Sequence, residues 1–171
     1  MRLMVMALGR CVAACLLLPL ALSACAAFSR SSTGQTDSST GAPSPRAGAA
    51  MAFDPATNQL VMFGGGAFVS LDDTWTWDGA AWSLRRPAHH PLAREHATMA
   101  FDAGSGQLLL FGGDSENGMG SPQLLSDTWN WDGTDWHRLP SGNTPPAADN
   151  PHMTYDVATR QIVLLIQSCE C

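Results

Sequence analysis

The histidines are the residues best suited to acid–base or metal chemistry, and their spacing does not favour either. His89 and His90 are adjacent and lie between Pro87 and Pro91. Side chains at neighbouring positions diverge, and a zinc site needs at least three protein ligands, whereas no third ligand is apparent near this pair. We therefore interpret the two histidines as part of a rigid, solvated loop.

The other candidate catalytic groups are equally isolated. Asp72-Asp73 has the form of a carboxylate pair for acid–base work, but the equivalent dipeptide at 126–127 is Ser-Asp. His96 and His152 are expected to be local hydrogen-bonding residues, because the repeats described below have other residues at these positions. No nucleophile elbow, phosphate loop or HExxH segment occurs. The sequence therefore predicts no catalytic residue, no metal and no cofactor, and it favours binding over catalysis.

The charge balance argues against a nucleic-acid partner. The chain has nine basic residues, all of them arginine, and 15 acidic residues, which gives a net charge of −6. A surface that holds nucleic acid or an anionic membrane by charge needs a basic patch or stripe. No such stripe occurs in this sequence.

A repeat is the strongest organising signal in the chain. The segment DTWTWDGAAW at 73–82 returns as DTWNWDGTDW at 127–136. Three longer segments also align, at 46–65, 94–113 and 148–167, and each contains an aromatic residue followed by aspartate. The successive starts are about 50 residues apart, a period that is typical of solenoids and propellers.

Each full repeat predicts four short strands. In the first strand Met51 and Phe53 point to one face, and Ala50 and Ala52 point to the other. The second strand, LVMF at 60–63, is apolar throughout, as a strand covered on both faces should be. We therefore expect the repeats to stack, with the bulky face of one sheet against the slim face of the next.

Glycines mark the ends of these strands. Gly64-Gly65 and Gly112-Gly113 follow the second strands and indicate either a positive φ or a close backbone approach. Asp78-Gly79 and Asp132-Gly133 separate the third and fourth strands, and such dipeptides are typical of type I′ hairpin turns. The tryptophan-rich decapeptide is therefore predicted to be the outer hairpin of each sheet.

The repeats resemble the kelch family, in which a hydrophobic run ends in Gly-Gly and is followed by an aromatic residue, six others and a tryptophan. Here Trp75 and Trp82 enclose six residues, and so do Trp129 and Trp136. The resemblance covers about 46–167 and implies a β-propeller with one four-stranded blade for each repeat. The structural motif residues assigned on this basis are Arg46, Gly64, Gly65, Asp73, Trp75, Trp82, Arg94, Gly112, Gly113, Asp127, Trp129 and Trp136.

The predicted fold is all-β, a partial kelch-type β-propeller with two four-stranded blades and one two-stranded half-blade. The expected boundaries are 46–93 for blade 1, 94–147 for blade 2, 148–167 for the partial blade 3 and 168–171 for a C-terminal tail. The third repeat lacks the Gly-Gly pair and the tryptophan hairpin. Apolar residues at the two ends of the array are therefore expected to be exposed, namely Met51, Phe53, Met153, Tyr155 and those from Ile162 to Leu165.

Three explanations fit an incomplete propeller, since complete ones have about four to eight blades. The reading frame is truncated or frameshifted, which we favour because the repeats stop in mid-blade. Alternatively, chains associate through the exposed blade faces to complete a ring, or a separate polypeptide supplies the missing blades.

The first 24 residues are predicted to be a signal peptide. Arg2 and Arg10 flank the positive region, and 11–22 is an apolar segment of signal-peptide length, short for a membrane span. Leu22-Ser23-Ala24-Cys25 resembles a bacterial lipobox, which implies that Cys25 becomes the lipidated N-terminus. Ordinary secretory cleavage after Ala26 is the alternative. We therefore expect an exported lipoprotein, anchored at the cell surface or envelope, or a secreted protein.

Residues 25–45 are predicted to be a flexible tether behind this anchor. The stretch is rich in serine, threonine, glycine and proline and buries too little surface to fold. At the other end of the chain, Cys169 and Cys171 would form a strained disulfide across one residue, and they lack the further ligands of a zinc site. We interpret these two cysteines as part of a C-terminal tail with no dedicated role.

Equivalent charged residues predict a structural ion pair. Arg46 and Arg94 occupy the same place in two repeats, and so do Asp73 and Asp127. Arginine and aspartate at these positions are expected to form a bidentate pair between neighbouring blades.

The loop 112–127 is longer than its counterpart in the first repeat, and such insertions on a propeller rim commonly carry binding. The candidate binding residues are Asp114, Ser115, Glu116, Asn117 and Met119. The predicted function is therefore an exported interaction module for a protein or a cell-surface glycan.

Two alternatives remain open for the function. The first is a fragment of a kelch-like propeller enzyme, because the resemblance extends to galactose oxidase and to sialic-acid mutarotases. A copper site of the galactose-oxidase type needs tyrosines and histidines, and the chain has a single tyrosine, Tyr155, in a core position. The second alternative is a non-functional gene remnant.

Overall fold

The computed structural model describes residues 3–8, 41–116, 122–142 and 144–167, and the regular structure within these ranges is entirely β. Within them, no helix has the length and apolar character that crossing a membrane requires. The strands in chain order are β1 (Leu3–Leu8), β2 (Ala50–Asp54), β3 (Gln59–Phe63), β4 (Thr74–Trp77), β5 (Trp82–Arg85), β6 (Thr98–Asp102), β7 (Gln107–Phe111), β8 (Asp114–Ser115), β9 (Gln123–Leu124), β10 (Thr128–Trp131), β11 (Trp136–Arg138), β12 (His152–Asp156) and β13 (Gln161–Gln167).

These strands form two complete blades and a partial third unit. Blade 1 has the order β2-β3-β4-β5, blade 2 has the order β6-β7-β10-β11, and neighbours in both are antiparallel. In the third unit β12 pairs with β13 in the same way. The predicted fold, two four-stranded blades and a half-blade, is confirmed.

The third unit also carries a strand that the sequence did not predict. Strand β1 runs parallel to β13, from the pair Leu3–Ile162 to the pair Leu8–Gln167. Residues 3–8 belong to the segment predicted to be a signal peptide, so its cleavage would leave this edge of β13 open. Open strand edges are sites where further pairing occurs.

The first hairpin of every unit is closed by an aspartate. Asp54 accepts hydrogen bonds from the Ala56 amide at 2.9 Å and from the Thr57 hydroxyl at 2.8 Å. Equivalent pairs of bonds reach Asp102 and Asp156. The repeated aspartate is therefore a turn-forming residue, since its side chain replaces backbone partners that the tight turn leaves free.

The outer hairpins depart from the expected type I′ turn. Four residues, 78–81, separate the paired Trp77 and Trp82. Positive φ occurs at Gly79 (99°) and not at Asp78, which instead accepts bonds from the Ala80 and Ala81 amides, both at 2.8 Å. The type I′ prediction was wrong because the aspartate side chain stabilises a longer loop in which glycine alone adopts the left-handed conformation.

The glycine pair after the second strand is required by two close backbone approaches, one to blade 2 and one within blade 1. Gly64 and Gly65 have φ of 66° and 78°. A Cβ on Gly64 would lie 2.5 Å from the Arg94 carbonyl oxygen, and one on Gly65 would lie 2.6 Å from the Ala47 carbonyl oxygen. Positive φ and a close backbone neighbour, which the sequence offered as alternatives, therefore occur together.

The predicted arginine–aspartate pairs form within each blade rather than between blades. The Arg94 guanidinium donates to both carboxylate oxygens of Asp127, at 2.7 and 3.0 Å, and to the Gly112 carbonyl at 3.1 Å. Arg46 holds Asp73 and the Gly64 carbonyl in the same way. The placement between blades was wrong: it is the backbone of Arg94 that joins the blades, by bonds with Gly65 and Leu71.

The stacking of bulky against slim faces is confirmed where blade 1 meets blade 2. We call the alanine side of each sheet its slim face and the opposite side its bulky face. The slim face of blade 1 (Ala50, Val61, Phe63) packs on the bulky face of blade 2 (Met99, Leu108, Leu110, Trp131, Trp136) in one apolar core. The same arrangement follows between blade 2 and the third unit, where Ala100 and Leu109 contact the bulky face that contains Met153, Tyr155 and Ile162.

This second contact corrects part of the predicted exposure. Ile162 and Leu164 are buried, and Met153 and Tyr155 are half-buried against blade 2. The sequence predicted all of them to be exposed because it did not separate the two faces of the third unit. Met51 and Phe53 are exposed as expected.

Candidate functional site

The connecting loops meet at one end of the blades, beside their first strands. Strands β2 and β6 lie next to each other, and so do β6 and β12, so the first strands surround a common axis. At this end, backbone bridges join Ala47 to Gly66 and Glu95 to Asp114, and the Gly113 amide bonds to the Ala148 carbonyl at 3.0 Å. The loops after the second strands and before the first strands therefore form one surface, which we call the loop face.

A histidine–aspartate pair stands on the loop face of blade 2. His96 Nδ1 lies 2.8 Å from Asp114 Oδ1 and 3.7 Å from Asp149 Oδ1. Asp114 is buried, whereas the His96 side chain is 45% exposed. The pKa of His96 is raised, because the hydrogen bond to Asp114 and the charges of Asp114, Asp149 and Glu95 outweigh the effect of partial burial.

A second set of polar groups lies directly beside this pair. The Ser70 hydroxyl donates to Glu95 Oε1 at 3.3 Å and accepts from the Glu116 amide at 3.1 Å. This links a loop of blade 1 to two loops of blade 2. Carboxylate, hydroxyl and imidazole groups thus converge from three segments that are distant in sequence.

Two apolar side chains project from the loop of blade 1 that carries Ser70. Phe68 is 94% exposed and Val69 is 53% exposed, in a hairpin that the Gly66–Ser70 bridge closes. A fully exposed phenylalanine next to several hydrogen-bonding groups is an amphipathic surface suited to binding rather than to folding.

Within the described residues, one group has the spacing of a metal site. Ligand atoms of His96, Asp114 and Asp149 all lie within 4.8 Å of one another. One imidazole and two carboxylates suit a divalent transition metal. These residues would hold such an ion only with His96 neutral, because a protonated ring has no lone pair to donate.

Part of the predicted binding loop lies on this surface, and its role in binding stays a prediction. Asp114, Ser115 and Glu116 lie on the loop face, and Asn117 and Met119 lie outside the described residues. So does Cys25, the predicted lipidation site.

The sequence missed His96 and Asp149 as members of this surface. His96 was expected to make local hydrogen bonds, and its partner Asp114 belongs to the predicted loop, 18 residues away. Asp149 comes from the connection that precedes the third unit. The signal that could have placed His96 there is its position two residues after Arg94, the arginine that two of the repeats share.

The histidines of the proline-flanked loop belong to a different part of the surface. The His89 amide and Nδ1 both contact the Asp135 carboxylate, at 2.8 and 2.7 Å. These contacts lower the pKa of Asp135 to about 2. His89 is largely exposed and His90 is half-exposed. The loop is therefore solvated, and it is held against the outer hairpin of blade 2.

The stacked antiparallel sheets define the described part of the chain as a partial β-propeller. One solved structure similar to it is that of YjhT, with 22% identity and a TM-score of 0.49, over 67% of this chain and 32% of that chain. This chain therefore spans about a third of the protein that it matches. No family model and no curated protein matches this sequence.

Proposed function

We propose that this protein is an exported binding module that takes a glycan on its loop face. The observation that carries the proposal is the convergence of Ser70, Glu95, His96 and Asp114 beside the exposed ring of Phe68. Sugar rings offer many hydroxyl donors and one apolar face. Carboxylates accept the hydroxyl hydrogens, and an aromatic ring packs against the apolar face.

The charge of the loop face supports a neutral or cationic glycan rather than an acidic one. Glu95, Asp114 and Asp149 place three carboxyl groups near a single histidine. An acidic sugar would be repelled by these groups, because like charges close together are unfavourable. The sequence left a protein partner open as well, and the exposed Phe68 would suit that partner too.

Binding of immobilised neutral oligosaccharides tests the proposal. Phe68→Ala is expected to weaken binding about fivefold, since the loss of one aromatic contact costs about 1 kcal/mol. Val157→Ala serves as the matched control, because Val157 is 79% exposed in the turn between β12 and β13 and should leave binding unchanged. Equal binding by the wild type and Phe68→Ala, or no binding to any oligosaccharide, would contradict the glycan site.

An enzyme acting on a sugar is the second candidate function. The hydrogen-bonded pair of His96 and Asp114 favours it, because an exposed imidazole oriented by a buried carboxylate can move a proton to or from a substrate. This candidate requires turnover of a bound sugar, whereas the binding module requires affinity alone.

We also propose that the domain is held at a membrane by a lipid on Cys25. Residues 26–45, which are rich in serine, threonine, glycine and proline, would then separate the blades from the membrane surface. Cells grown with radioactive palmitate are expected to label the wild-type chain and not Cys25→Ala. The variant should also leave the membrane fraction. Equal labelling of both chains would contradict the anchor and leave simple secretion.

A further inference from the structure

The bulky face of blade 1 is partly uncovered, although Met62 and Trp75 on it are buried, whereas the equivalent face of blade 2 is covered by blade 1. Cross-strand pairing places Met51, Phe53 and Leu84 on it together with Trp75 and Trp82. Met51 is 49% exposed, Phe53 is 50% exposed and Leu84 is 41% exposed. Met99, which is equivalent to Met51, is 7% exposed because the slim face of blade 1 lies on it. The exposed residues on the bulky face of blade 1 are therefore those of a stacking surface on which no other described sheet is packed.

The third unit presents the complementary surface. Strand pairing places Thr154, Val163 and Leu165 on its slim face, at positions equivalent to Ala52, Val61 and Phe63 of blade 1. Thr154 is exposed and Val163 and Leu165 are half-buried, whereas Val61 and Phe63 are fully buried beneath blade 2. Within the described part of the chain, the slim face of the third unit has no sheet packed on it.

Two strands are enough to provide most of a slim face. Where blade 1 packs on blade 2, the buried core residues of the slim face are Ala50, Val61 and Phe63, all from the first two strands. The third strand adds one polar contact, between Thr74 and Trp136. The third unit has both of the strands that matter, so its missing outer hairpin does not prevent it from covering another sheet.

We propose that the bulky face of blade 1 binds the slim face of the third unit of a second copy of this chain. If both copies dock in this way, the two joints are identical and the dimer is two-fold symmetric. The three described units of two copies make six, which lies within the range of about four to eight blades in closed propellers. Because the joint uses sheet faces, it does not depend on strand β1 or on the glycan site.

The joint between chains is expected to be weaker than the joints within a chain. Within the chain, Gly65 and Gly113 donate their amides to the carbonyl oxygens of Arg94 and Ala148 of the next unit. The third unit has Gln167 at the position of these glycines. We therefore expect the joint between chains to lack the equivalent hydrogen bond and to depend on apolar packing.

The mass of the full-length chain tests this proposal. The chain should be expressed with its own first 25 residues and extracted in a non-ionic detergent. Light scattering, with the detergent contribution subtracted, is expected to give twice the mass of one chain. Phe53→Glu should reduce this to the mass of one chain, since it places a charge in the joint. Phe68→Glu, at a more exposed site on the loop face, should leave the doubled mass unchanged.

Mixing two variants separates loss of the joint from loss of the fold. Thr154→Arg alters the slim face of the third unit and should also give single chains. A mixture of Phe53→Glu and Thr154→Arg retains one intact joint and places opposite charges at the other, so the doubled mass should return. A wild-type chain at single mass, a mass that grows steadily with concentration, or a Phe53→Glu chain at doubled mass would each overturn the closed ring. Failure of the mixture to recover the doubled mass would also overturn it.

Discussion

Replacing Trp136 with alanine is expected to lower the free energy of unfolding by about 3–5 kcal/mol, the range for a large aromatic residue in a packed core. Trp136 is completely buried and lies at the joint between the blades. Its ring packs edge-on against Phe63 of blade 1, with centroids 5.3 Å apart, and its Nε1 donates to the Thr74 hydroxyl at 2.9 Å. The substitution therefore leaves a cavity and an unpaired hydroxyl in the same place.

Trp82 provides the matched control for this prediction, because it occupies the same position of blade 1. It is half-buried and makes its aromatic contact within its own blade, with Trp77 at 5.6 Å. Trp82→Ala should therefore lower the free energy of unfolding clearly less than Trp136→Ala, as measured by urea denaturation followed by circular dichroism. Equal losses would show that Trp136 stabilises its own hairpin and does not join the blades.

Replacing Asp127 with alanine is expected to lower the free energy of unfolding by about 3–5 kcal/mol, as removal of one partner of a buried ion pair does. The Arg94 side chain is fully buried, so it would keep its charge without a counterion. Trp129 Nε1 would also lose its 2.7 Å bond to the same carboxylate. Asp73→Ala in blade 1 is the matched comparison. Asp73→Ala should lower the free energy of unfolding by less, because the Asp73 carboxylate is more exposed than that of Asp127.

The same ion pair predicts a dependence of stability on pH. Burial tends to raise the pKa of Asp127, but the hydrogen bond and charge of Arg94, the bond from Trp129 and the charge of Arg138 lower it overall. A carboxyl group whose pKa is lower in the folded state stabilises the fold above its unfolded pKa of about 3.9, and this contribution is lost as the pH falls through the folded value. Wild type should therefore lose stability below about pH 4 more steeply than Asp127→Ala. Parallel acid curves for the two proteins would contradict this assignment.

Much of the fold follows from local sequence because each unit repeats the same physical requirements. The alternation of Met51 and Phe53 with Ala50 and Ala52 predicted the two unlike faces, and the structure stacks them as expected. Gly64-Gly65 predicted a special backbone because glycine is the residue that tolerates positive φ together with a close neighbour. The turn type at Asp78-Gly79 was not predictable from the dipeptide, because a side-chain bond from Asp78 selected a longer loop.

The residues of the candidate site were harder to predict from the sequence than the fold was. The extra length of the loop 112–127 indicated Asp114, Ser115 and Glu116 as candidate binding residues. A loop that is longer than its counterpart in the other repeat is not required by the repeated fold. His96 and Asp149 stand at positions where the aligned segments of the other repeats carry different residues. Their association depends on which loops meet when blade 2 and the third unit stack, and local propensity contains no information on that contact.

The all-β repeat and the unlike faces of each sheet could be predicted from the sequence alone, because they depend on side-chain periodicity. The need for glycine pairs could also be predicted, because they adopt backbone conformations that few residues tolerate. Only the tertiary structure decided that the arginine–aspartate pairs lie within blades, that Trp136 joins the blades and that His96 meets Asp114. Each of these contacts links residues that are distant in the chain. Such contacts are set by how the sheets pack on one another, and the pattern of residues within one repeat does not specify that packing.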